Sequence, residues 1–196
     1  MIPTNKKMAS LQAMIESAAI GQAITSRSGT KISQLSTSAG NPIFWTSPEP
    51  LLVPFFSSTG YGGELDRINL CVTLDAATYQ ILKPVEDALK ALAVKHLGLD
   101  ERDFTPLIRE NQQFNTRLLK VKIQRTGTYS TYFWNSGPEA DRRQIDMPED
   151  LAQTMVRVRM QISGIWVQGR NFGVSLRATD VECHGEATAQ MHECPF

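Results

Sequence analysis

The sequence predicts a mainly-β α+β chain, with an antiparallel sheet bent into a barrel, one helical insertion and a flexible N-terminal arm. Three observations predict it. Val156, Val158, Met160 and Ile162 alternate with Arg157, Arg159 and Gln161, the period-2 signature of a half-buried strand. Gln168-Gly169-Arg170-Asn171 then reads as a tight hairpin turn, with Gly169 at the first central position of a type II′ turn. The apolar phase switches from even to odd positions between Ile162 and Ile165. Gly164 sits at the switch, as expected of a β-bulge that bends a strand toward closure.

With Gly169-Arg170 as the loop, Val167 faces Phe172, Trp166 faces Gly173 and Ile165 faces Val174. Ile165, Val167, Phe172, Val174 and Leu176 then form a core face. Trp166 falls on the other face with Ser175 and Arg177, over the bare backbone of Gly173, and the bulge brings Arg157 and Arg159 to that same outer face. The alternative is that Trp166 is a core residue, since tryptophans are mostly buried.

The earlier elements follow in order. Leu11, Met14, Ile15, Ala18 and Ala19 have helical spacing, predicting a short amphipathic helix within Ser10–Ile24. Thr25–Ser47 is rich in Ser, Thr and Gly and reads as a flexible or extended arm. Prolines between Pro48 and Pro54 restrict that stretch to edge pairing. Gly60–Gly63 is a turn, and Arg67–Leu74 a strand. Asp75 caps a helix over Ala76–Leu97 that packs Ile81, Val85, Leu89, Leu92 and His96 on one face, stops at Gly98, and either continues through Pro84 or divides there. Asp100–Gln113 is a short helix or irregular connection. Arg117–Arg125 and Tyr129–Trp134 form a hairpin around Thr126-Gly127-Thr128; Asn135–Pro148 is a charged loop and Glu149–Thr154 a helical turn.

In that hairpin Lys120 and Lys122 oppose Leu119, Val121 and Ile123. A three-residue loop puts Tyr132 and Trp134 on the lysine face; a two-residue loop puts Tyr129 and Phe133 there. Either way aromatics interleave with bases, the combination that stacks nucleobases and holds phosphates. The alternative is an ordinary solvated sheet face.

Composition narrows the function. The 196 residues have a formal net charge of zero, but the charge is segregated. Arg117–Arg125 carries four bases and no acid, and Met155–Thr179 four arginines and no acid. The final stretch carries Asp180, Glu182, Glu186 and Glu193 with no base. Such segregation makes local fields that the total hides, and predicts modest, salt-sensitive affinity. Three scattered cysteines form no disulfide framework, and no apolar run approaches a membrane span, so a soluble intracellular protein is expected. Cys183-His184 and His192-Glu193-Cys194 match no common zinc spacing, so neither metal nor cofactor is expected. No catalytic motif or phosphate loop occurs, which argues against an enzyme.

The order strand, helical insertion, hairpin, charged loop and bulged hairpin, with IWVQGRNFGVSLRATDV as its last hairpin, resembles the OB-fold single-stranded-DNA-binding proteins of viruses and bacteriophages. The resemblance covers about half of the chain. It implies an N-terminal helix and arm over residues 1–47, an OB-like domain over 48–183 with its helical insertion over about 76–113, and a tail over 184–196. It implies sequence-independent coating of single-stranded DNA in replication or recombination. The candidate contacts are Lys120, Lys122, Arg125, Tyr132, Trp134, Arg157, Arg159, Trp166, Arg170 and Arg177, and the N-terminal arm is expected to mediate homo-oligomers. The tail lacks the dense acidic run of bacterial single-strand binders. Two other readings fit the sequence: a single-stranded-RNA binder using the same sheet, and a structural or self-assembly β protein.

Overall fold

The last two strands organise the sheet. The computed structural model describes residues 11–26, 29–56, 67–111, 116–138 and 141–186. Helix α1 (11–16) leads into strands β1 (Ala19–Thr25), β2 (Lys31–Ser36), β3 (Ile43–Thr46) and β4 (Leu51–Val53). β5 (Arg67–Thr73) precedes helix α2 (Ala76–Leu97), and β6 (Phe104–Thr105), β7 (Ile108–Asn111) and β8 (Thr116–Gln124) follow it. β9 (Tyr132–Asn135), β10 (Gln144–Ile145), β11 (Thr154–Gln168) and β12 (Asn171–Glu186) complete the order.

β11 and β12 pair in the register expected at the turn, with Trp166 opposite Gly173 and Val167 opposite Phe172. Gly169 has φ 61° and Arg170 has no positive φ, the combination a type II′ turn requires. The register slips between Ile162 and Gly164, leaving Ser163 as the extra residue, and the buried positions pass from Val156, Val158, Met160 and Ile162 to Ile165. Gly164 is needed there because β2 crosses so closely that a Cβ would overlap the Ser33 carbonyl. A second bulge was not anticipated. Met160 pairs with Ala178 and Arg159 with Asp180, so Thr179 is extra and β12 changes face at that point.

Short strands line both outer edges of this hairpin. β2, β3 and β4 lie in succession along β11, and β6, β8 and β9 along β12, with β5 and β7 on β8, β1 on β2 and β10 on β9. The expected closed barrel does not form among the described residues. The hydrogen-bonded path runs β1-β2-β11-β12-β8-β5, and β5 approaches β4 without a ladder. Leu70, Val72, Leu119, Val121, Val156, Val158 and Phe172 fill the space enclosed by the curled sheet, and α2 covers part of it with Leu82, Val85, Leu89 and Leu92.

Several expectations need correction. The N-terminal helix does not reach Ile24: residues 19–25 are strand β1, where Ile20, Ile24 and Thr25 favour extended backbone. The 25–47 stretch takes its extended form as β2 and β3, and Ile15, Leu35 and Ile43 are core residues, so this segment is not separable from the core. The hairpin between 117–125 and 129–134 does not form. The Thr131 N–H donates to the Gln124 carbonyl at 2.7 Å and its hydroxyl to the Ala178 carbonyl at 2.8 Å. The chain therefore closes a loop over 125–130 and resumes in the same direction, with β8 and β9 both parallel to β12.

Asp75 caps α2, accepting from the Thr78 N–H at 2.6 Å, and Gly98 ends it at φ 65°. Pro84 does not divide the helix, and His96 is exposed instead of packed. Glu86 takes an inward position on α2. It is 2% exposed and accepts from the Leu107 and Ile108 N–H groups at 2.6 and 2.9 Å, tying the helix to the start of β7. Lys83 donates to Glu86 at 2.9 Å and to Asp87 at 2.8 Å; burial disfavours its charge, but these two carboxylates hold its pKa above the ordinary lysine value. No described helix is long and apolar enough to cross a membrane. The Gly60–Gly63 turn and His192-Glu193-Cys194 lie outside the described residues.

Candidate nucleic-acid interface

Alternation along the strands decides which side chains leave the core. Leu119, Val121 and Ile123 point inward on β8, so Lys120 and Lys122 point outward; Ile68, Leu70 and Val72 point inward on β5, leaving Asn69 outside. On the hairpin the first bulge places Trp166, Ser175 and Arg177 on the same outer side. Three clefts run along this side.

The first cleft, about 430 Å³, is lined by Trp166, Lys120, Lys122, Arg109, Asn69 and Ser175 among others, and no carboxylate is among its described lining residues. Trp166 is half-buried and lies against Gly173: a Cβ built on that glycine would come within 2.7 Å of the indole ring. The missing side chain is what lets the ring lie flat across the strand. Lys122 donates to the Ser175 hydroxyl at 3.3 Å, which holds its ammonium at the cleft.

The second cleft continues from the first, sharing Ile32, Lys122 and Ser175 with it. Phe44, Tyr129, Gln161 and Arg177 also line it, again without a carboxylate among the described lining residues. The Arg177 guanidinium lies over the Tyr129 ring at 4.5 Å from its centroid and donates to Gln161. Burial lowers the Arg177 pKa from the ordinary arginine value, and Tyr129 opposes that shift.

The third cleft has different electrostatics. Trp134, Arg142, Arg157 and Arg159 line it together with Asp180 and Glu182, which the bulge at Thr179 turns outward opposite the arginines. Arg142 pairs with Glu182 at 2.7 Å, and Arg159 with Asp180 at 3.8 Å. The Trp134 indole N–H donates to Asp180 at 3.1 Å, and Arg157 donates to the Pro48 carbonyl at 3.0 Å. Asp180 and Glu182, in a stretch of sequence that carries no base, thus meet bases from other parts of the chain. Each arginine here already has a partner within the protein.

The ten candidate residues are thus divided. Lys120, Lys122 and Trp166 share the first cleft, Arg177 lies in the second with Lys122, and Trp134, Arg157 and Arg159 lie in the third. Arg125, Tyr132 and Arg170 are exposed and line none of the three. Arg109, Asn69, Phe44 and Arg142 were not anticipated. Phe44 was legible, since Ile43 and Trp45 flank it with the period of a strand; Arg109 and Arg142 lie in stretches whose sequence gives no direction.

No protein-family model matches the chain, and no curated protein matches it by sequence. Solved structures do. The C-terminally truncated single-stranded-DNA-binding protein of bacteriophage Enc34 aligns at TM-score 0.51 and 10% identity, covering 88% of this chain and 97% of that one. The single-stranded-DNA-binding protein encoded by bacteriophage T7 aligns at TM-score 0.49 and 13% identity, over 76% and 96%. The chain, mainly β with one long helix, shares the fold of the bacteriophage single-stranded-DNA-binding protein of Enc34.

Proposed function

We propose that this protein binds and coats single-stranded DNA with little sequence preference, in replication or recombination, as a binding protein without catalytic chemistry. The observation that carries the reading is that no carboxylate occurs among the described residues lining the first two clefts, where Arg109, Lys120, Lys122 and Arg177 accompany the Trp166 platform. A flat ring supplies stacking to any base, and the cations supply phosphate contacts, so neither term depends on sequence. The Enc34 protein that shares the fold is a single-stranded-DNA-binding protein, which favours the same ligand class here. Titration of labelled single-stranded DNA, duplex DNA and RNA over a range of salt tests the reading. Log affinity for the single strand should fall with log salt at about 0.7 per phosphate contacted. Equal affinity for duplex, or insensitivity to salt, would count against it; stronger binding to RNA would change the ligand.

We further infer that copies associate through the N-terminal segment. β1 is the edge of the sheet and carries no charged residue, and its Ile24 is 62% exposed, features that leave an edge open to pairing. Ile24→Lys should lower the oligomeric state in sedimentation if this edge pairs; an unchanged oligomer, or a monomeric parent protein, removes the inference.

A further inference from the structure

The second cleft contains a feature that coating through Trp166 does not use. Two exposed aromatic rings, Phe44 on β3 and Tyr129 on the 125–130 loop, line it together. Both rings carry a guanidinium: Arg159 lies over Phe44 at 4.6 Å from its centroid, and Arg177 over Tyr129 at 4.5 Å. Phe44 is 37% and Tyr129 66% exposed, so neither ring is used up by packing.

Both are also held in place. Phe44 pairs with Gln161 on β11, between Ile43 and Trp45, which face inward. The 125–130 loop is pinned at its neck by the Thr131 N–H on the Gln124 carbonyl, and internally by the Ser130 hydroxyl donating to the Gly127 carbonyl at 2.6 Å. Polar uncharged groups, Gln34, Gln161 and Ser163, line the space around them. Lys122 borders both clefts, so a phosphate backbone lying past Trp166 would continue into this space without meeting an acid among the described lining residues.

We propose that Phe44 and Tyr129 form a second base-stacking subsite, and that a bound strand runs from Trp166 past Lys122 into it, leaving the hairpin before the Asp180–Glu182 cleft. This rests on the single-strand-binding reading and specifies its path. A cation over one side of an aromatic ring leaves the opposite side to a base, and over Tyr129 that cation, Arg177, also faces the nearby phosphate. Asp180 and Glu182 set the boundary, because they add negative charge there and already hold Arg142 and Arg159, which would otherwise face a phosphate.

The test uses the full chain and oligothymidylates of roughly 2 to 16 nucleotides, the range that spans one such site. Parent affinity should rise with length as the second subsite fills. Phe44→Ala and Tyr129→Ala should each weaken binding of the longer oligomers at least about fivefold and leave the shortest binding oligomer unchanged. Tyr129→Phe should keep parent affinity, and Trp166→Ala should weaken binding at every length. Photocrosslinking of halogenated oligothymidylate to the parent protein should mark Phe44 or Tyr129 as well as Trp166, a readout that does not depend on any variant folding. Parent-like length dependence in both alanine variants, an equal loss at every length, or crosslinks confined to Trp166 would overturn the subsite while leaving single-strand binding intact. Failure of the parent protein to bind any oligomer overturns the functional reading, and the subsite with it.

Discussion

Toward the tip of the β11–β12 hairpin, Trp166 lies beside Lys120 and Lys122; toward its base, Trp134 lies beside Arg157 and Arg159. In sequence the two regions look alike, each an aromatic among bases. In space they differ by two carboxylates. The tip region has none among its described lining residues, whereas Asp180 and Glu182 sit at the base with Arg142, Arg159 and the Trp134 indole already bound to them. Surface ion pairs of this kind contribute little to stability, about 0–1 kcal/mol. Their effect on a ligand is larger, because an arginine must leave its partner before it can serve a phosphate. Proximity of base and aromatic is therefore insufficient; what distinguishes the regions is whether carboxylates line the cleft beside the bases.

The largest effect that can break this comparison is at the two tryptophans. Trp166→Ala should cost about 1–3 kcal/mol of single-strand affinity, with a small change in melting temperature because the ring is half outside the core. Trp134→Ala should cost little affinity and show instead in melting, since its indole is bonded to Asp180. If the titrations rank the two the other way, the assignment of regions is reversed. Next is the salt slope. Lys120→Gln should reduce it by about 0.7, the loss of one phosphate contact, while Arg159→Gln should leave it unchanged. Smaller and opposite in sign, the pair Asp180→Asn and Glu182→Gln should raise affinity by a few-fold, about 0.5–1 kcal/mol, as Arg142 and Arg159 are released. An unchanged affinity would mean that these two carboxylates are not what keeps the strand out of that cleft.

The smallest effect uses the thiols. Burial pushes the Cys183 thiol up to about 11, so at pH 8 it is protonated and iodoacetamide should label it slowly, the rate rising as pH approaches 11. Burial also raises Cys71, but Lys120 and Arg109 oppose the shift. Bound DNA that neutralises those two cations should slow labelling at Cys71 and leave Cys183 as it was. Equal protection of both thiols, read by mass spectrometry, would blur the distinction between the regions.

Much of the fold was legible because period-2 alternation and turn chemistry are local. The Trp166–Gly173 register, the type II′ turn at Gly169 and the bulge at Gly164 all follow from about fifteen consecutive residues. The second bulge left the same kind of trace, since the buried positions pass from Leu176 and Ala178 to Val181, but nothing as conspicuous as a glycine marks it. The N-terminal segment misled for another reason: its Ser, Thr and Gly content suits a loop, yet short strands along β11 accept such residues once Leu35 and Ile43 reach the core.

By itself, then, the sequence determined the alternation that gives the hairpin a basic outer face, and parity and the bulge put Trp166 on that face with a core position as the alternative. The tertiary structure alone decided which charges share that face. Thr131 hydrogen-bonds back to Gln124 and turns an expected hairpin into two successive parallel strands, bringing Lys122 beside Ser175, while β9 lays Trp134 against Asp180. Those are contacts between residues some fifty positions apart, and Coulomb forces act through space without regard to that separation.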